Sequence, residues 1–85
     1  MGDERLIMQI YGYQKEVDTL LNLEEVSLQC TLEELDDIIA FLTKSREEHA
    51  KVIEETSMCH SHFRDWNSAW KQGDSDLIVV TTYRK

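Results

Sequence analysis

The segment Cys59–Trp70 (CHSHFRDWNSAW) holds both tryptophans, two of the three histidines and one of the two cysteines in the chain. Thiol and imidazole are metal ligands and form nucleophile–base pairs, whereas tryptophan and arginine concentrate at binding hot spots. Cys59 beside His60 suggests a thiolate mechanism, but neighbouring residues on a strand point to opposite faces. No glycine-rich phosphate loop, nucleophile elbow or spaced carboxylate pair accompanies them. No catalytic residue is therefore expected. A metal reading has the run Cys59-His60-x-His62, to which only Cys30 or His49 could be added. A structural zinc site normally takes four ligands with wider spacing, and neither Cys-x-x-Cys nor His-Glu-x-x-His occurs. No metal and no cofactor are expected, and a small metal-binding or structural, oligomeric interaction protein is the alternative reading.

The composition bounds the function. Eighty-five residues suit one domain, with little room for a deep cleft. Hydrophobic residues at 41% and charged residues at 31% are globular values. The net charge of −8 opposes a phosphate backbone and favours a basic protein partner. No nucleic acid and no membrane are expected as partners. The N-terminal MGDERLIMQIYGY lacks the basic and apolar regions of a signal peptide, and position 6 is leucine, which argues against myristoylation. A cytoplasmic protein with two free thiols is the expectation.

The positioning elements follow from hydrophobic period. Arg5–Tyr13 and Leu23–Cys30 alternate as half-buried strands, joined by a long hairpin loop over Gln14–Leu21 with Asn22 as a turn residue. Thr31-Leu32-Glu33-Glu34 is a capping box opening a helix that the pattern carries to Thr56. Leu35, Ile38, Ile39, Leu42, His49, Ala50 and Ile53 form its apolar stripe. Its other face carries Glu33, Glu34, Asp36, Asp37, Glu47, Glu48, Glu54 and Glu55, against Lys44, Arg46 and Lys51. His60–Trp66 reads as a short strand with His60, His62, Arg64 and Trp66 on one side. Asn67–Ser75 is a loop with a Gln-Gly-Asp turn, and Asp76–Tyr83, apolar on both faces, belongs in the middle of the sheet. The sum is a single α+β domain, β-β-α-β-β, with one long helix packed on a small, mainly antiparallel sheet.

The runs LEEVSLQCTLEELDDIIAFL (Leu23–Leu42), HSHFRDW (His60–Trp66) and DLIVV (Asp76–Val80) resemble the immunity protein 32 family, with a fainter likeness at Tyr11-Gly12-Tyr13. These are small proteins held to protect bacteria from polymorphic toxins. No one motif is specific, and the likeness rests on their order and spacing. It implies toxin neutralisation by direct binding, and the net charge of −8 makes a basic cognate toxin the expected partner.

The expected contact surface combines His60, His62, Arg64, Asp65, Trp66 and Trp70 with Glu47, Glu48, Glu54 and Glu55 of the helix face. Each has a plainer reading: solvated helix acids, hydrogen-bonded strand histidines, and Trp66 as the large core residue. An edge strand and exposed aromatics would also invite a homodimer.

Overall fold

A computed structural model describes residues 8–52 and 55–83. Its α+β class and β-β-α-β-β order are as the sequence implies, with one short helix added: β1 (Ile10–Tyr13), β2 (Leu20–Leu23), α1 (Leu32–Lys51), β3 (Met58–His62), α2 (Phe63–Trp66) and β4 (Ile78–Thr82).

The strands do not form one sheet. β1 pairs antiparallel with β2, from Tyr13↔Leu20 to Ile10↔Leu23, and β3 pairs antiparallel with β4, from His62↔Ile78 to Met58↔Thr82. The Val17 amide donates to Gln14 O (3.1 Å), and Glu16 takes φ 63°, a left-handed conformation that costs a non-glycine residue about 1 kcal/mol. That tight turn sets the register and moves the second strand from the expected Leu23–Cys30 to Leu20–Leu23. Glu24–Cys30 then runs to the helix outside any strand, leaving Val26 and Leu28 exposed. The expected strand residues 5–7 lie outside the described residues.

The capping box is present: the Glu34 amide donates to Thr31 Oγ1 (3.1 Å) and the Thr31 amide to Glu34 Oε1 (2.8 Å). Helix α1 ends at Lys51 rather than Thr56, closed by a tightened turn in which the Val52 amide donates to His49 O. Thr56 Oγ1 then bonds Met58 N and O, starting β3. Ile53 and Glu54 lie outside the described residues.

The buried row of α1 is Phe41, Ser45 and His49, with Ile38 half-buried beside it. This differs from the expected stripe, because Leu35, Ile39 and Leu42 remain exposed. Two interactions turn the helix. Phe41 packs edge-on against Phe63 (5.4 Å, 83°) and at a tilt against Trp66 (5.9 Å). His49 is held by both ring nitrogens, Nδ1 to Thr81 Oγ1 (2.7 Å) and Nε2 to Ser61 Oγ (2.9 Å), while the Tyr83 hydroxyl donates to His49 O. Burial and neighbouring Cys59 push the Tyr83 phenol above its ordinary value, so it remains a protonated donor.

β4 is likewise not a central strand. It belongs to a two-stranded ribbon whose half-buried side chains, Cys59, Ser61, Val79 and Thr81, alternate with exposed Met58, His60, Ile78 and Val80. No helix among the described residues is long and apolar enough to cross a membrane.

Candidate functional site

The histidine-rich run splits between two elements. β3 ends at His62, and Phe63–Trp66 forms one helical turn closed by the Asn67 amide on Phe63 O (2.9 Å). Arg64 and Trp66 therefore do not continue the face of His60 and His62, as an unbroken strand would require. Asp76 enforces the switch: its Oδ1 accepts from the amides of Arg64 (2.8 Å) and Leu77 (2.9 Å). On its other oxygen it accepts from His62 Nδ1 (2.7 Å), with Arg64 Nε at 3.8 Å.

Partial burial pushes the Asp76 carboxyl up, but the bonds from His62, Arg64 and Leu77 outweigh it and hold the group below its ordinary value. A depressed folded value means that this stabilisation is complete above the unfolded pKa and is lost as pH falls through the folded one. Stability should therefore fall on acidification below about pH 4. Asp76→Asn should be less stable at neutral pH and lose less between about pH 5 and 3, as measured by urea unfolding. Identical acid limbs in the two proteins would show that Asp76 does not anchor α2.

The turn brings together much of the expected surface. An open groove of about 330 Å³ is lined by Phe41, Lys44, Ser45 and Glu48 of α1 and by His60, Ser61, His62, Asp65 and Trp66. His60 is exposed, its ring 5.4 Å from His62 and edge-on to it. Asp65 is exposed at the rim, where Arg64 Nε lies 4.0 Å from its carboxylate. Trp66 combines its two readings, packing at a tilt against Phe41 and Phe63 while part of the indole stays exposed.

Trp70 does not join this groove. Its indole N–H donates to Ser75 O (2.9 Å), and it lines a second cleft of about 490 Å³ between the segment Ser27–Cys30, the first half of α1 and the loop before β4. The turn anticipated in that loop forms: the Asp74 amide donates to Lys71 O, Lys71 N to Asp74 Oδ2, and Gly73 takes φ 99°. Glu47 is exposed on α1 outside the groove lining, Glu55 is exposed in the turn after α1, and Glu54 lies outside the described residues.

Comparison with protein-family models, curated proteins and solved structures finds no match.

The alternative metal set is not assembled. Cys59 and His60 alternate across the ribbon, Cys30 lies on the exposed segment before α1, and both nitrogens of His49 face hydroxyls. Among the described residues no group of three or more His, Cys, Asp or Glu is placed to hold a metal ion. Sequence reasoning missed Asp76 and Ser45. Asp76 directly precedes an apolar run, and Ser45 sits one turn from both Phe41 and His49, which are the signals each leaves in the chain.

Proposed function

We propose that this chain is a non-catalytic protein-binding module, an immunity protein that neutralises a bacterial toxin by direct binding. The observation carrying the proposal is the groove: one twelve-residue segment and one acidic helix meet there, offering two imidazoles, a half-exposed indole and two carboxylates. Such a surface has the composition of a hot spot, an aromatic anchor ringed by polar groups. Its carboxylates, Glu48 and Asp65, and the net charge of −8 favour a basic partner and speed its approach. The ordered likeness of three sequence runs to the immunity protein 32 family supports the role of toxin antidote. Occlusion needs surface complementarity and no reaction, which fits the open groove beside Trp66.

The full chain used as bait in its source cell should capture one stoichiometric, basic partner. A Glu48→Lys/Asp65→Lys variant, both changes being at exposed positions, should weaken capture about tenfold or more. Unchanged capture by the folded variant would remove the groove from the interface. Repeated captures without a partner would overturn the antidote reading.

A further inference from the structure

We propose that the groove between α1 and the β3–α2 junction receives one arginine side chain of the partner, and that protonation of His62 expels it. This rests on the groove's being part of the contact surface, and it names the chemical group that enters. The hydrogen bond behind the groove fixes what His62 presents there. Asp76 is held below the ordinary carboxylate value, so at neutral pH it is ionised and only accepts. The proton between the two residues, 2.7 Å apart, therefore sits on His62 Nδ1. A neutral ring protonated there carries its lone pair on Nε2. Nε2 has no hydrogen-bond partner among the described residues, and His62 lines the groove. His62 thus presents an acceptor to whatever enters.

The rest of the groove favours a donor that is cationic and flat. Among the described residues its lining sets the carboxylates of Glu48 and Asp65 against the ammonium of Lys44, a negative balance while the imidazoles are neutral. Lys44 is exposed on a long stem that carries its charge into solvent. Ser45, 3% exposed, lines the same groove, and its hydroxyl makes no hydrogen bond among the described residues. Trp66, 40% exposed, supplies an aromatic surface beside these acceptors. A guanidinium stacks flat on such a ring and spreads several N–H donors in its plane, whereas the compact ammonium of lysine does not. The groove, at about 330 Å³, lies at the low end of ligand-sized pockets and suits one side chain better than a chain segment.

The same geometry makes occupancy depend on pH. Histidine changes charge between about pH 5 and 8, whereas arginine stays charged throughout. Protonation turns His62 Nε2 into a donor and sets a positive charge against the guanidinium. His60, its ring centroid 5.4 Å from that of His62, adds a second charge. With both rings protonated, the balance of the lining passes from negative to positive. The charges behind the groove do not reverse this. Asp76 is shared with Arg64, whose Nε lies 3.8 Å from it, and the same Nε lies 4.0 Å from Asp65. Binding should therefore weaken as the pH falls.

The test is an NMR titration of the isotope-labelled full chain with acetyl-arginine amide at about pH 7.5. The Trp66 indole N–H signal should shift and saturate with a Kd of about 1–10 mM, while that of Trp70, in the other cleft, stays in place. The citrulline analogue, flat but neutral, should bind at least about tenfold more weakly, and acetyl-glutamate amide should not bind. At about pH 5.5 the affinity for the arginine amide should fall at least about tenfold. In His62→Gln, whose amide does not titrate, that ratio should shrink to about twofold or less, whereas His60→Gln should keep most of it. The absence of a saturable shift at about 50 mM arginine amide overturns the proposal, as does equal binding of citrulline. A ratio kept in His62→Gln and lost in His60→Gln overturns the role of His62. The probe needs no toxin, so the two readings fail separately. Arginine binding without a captured partner overturns the antidote reading alone, and a captured partner without arginine binding overturns this one alone.

Discussion

Replacing His49 with alanine is expected to destabilise the protein by about 3–5 kcal/mol, a large fraction of its total stability. The ring is 2% exposed and spans the interface between α1 and both strands of the C-terminal ribbon. Truncation leaves a cavity and strips the Ser61 and Thr81 hydroxyls of their ring partner in a half-buried layer. A domain of 85 residues has only about 4–13 kcal/mol to lose. The test is urea unfolding followed by circular dichroism. A midpoint like that of the wild type would mean that the hydroxyl–imidazole layer contributes nothing. The triple change His49→Leu/Ser61→Ala/Thr81→Val should recover most of the loss, because removing all the partners together leaves no polar group orphaned.

Phe41→Ala should cost a similar amount, about 3–5 kcal/mol, by a different route. Phe41 is 1% exposed and is the largest fully buried side chain, wedged between Phe63 and Trp66. Its loss removes apolar contact and two aromatic pairings at once. Because it also forms part of the groove wall, the change should free the Trp66 indole. Red-shifted tryptophan emission below the unfolding transition would show this; Trp70, tied to Ser75 O in the other cleft, should contribute little to the shift. Phe41→Leu should lose less stability and keep most of the emission wavelength. Unaltered emission in a folded Phe41→Ala protein would place the support of Trp66 elsewhere.

The order of elements was legible in the sequence because period and caps are local signals. The Thr31–Glu34 box needs only its own turn, and it forms as written. The rotation of α1 was not legible. Leu35, Ile39 and Leu42 outnumber Phe41 in any hydrophobic stripe, yet one phenyl ring meeting two aromatics, and one imidazole meeting two hydroxyls, decide which side is buried. A Ser–His pair one turn apart resembles a polar face until its partners 12 and 32 residues away are known. Likewise, the break at His62 depends on Asp76, 14 residues further on, competing for the backbone that a longer β3 would have used. His60, His62, Asp65, Trp66 and Glu48 share a groove partly for that reason, while Trp70 was separated from them by its bond to Ser75 O.

The buried row of α1 finds its partners only later in the chain: Phe63 and Trp66, then Ser61 and Thr81, and finally Tyr83, 34 residues beyond His49. A ribosome adding about 5–20 residues per second needs roughly 2–7 s to cover that distance. During this interval α1 emerges with its Phe41, Ser45 and His49 row still without partners. Until Phe63 and Trp66 have emerged, Phe41 has no aromatic partner, and α1 is held only by its capping box and its own backbone bonds.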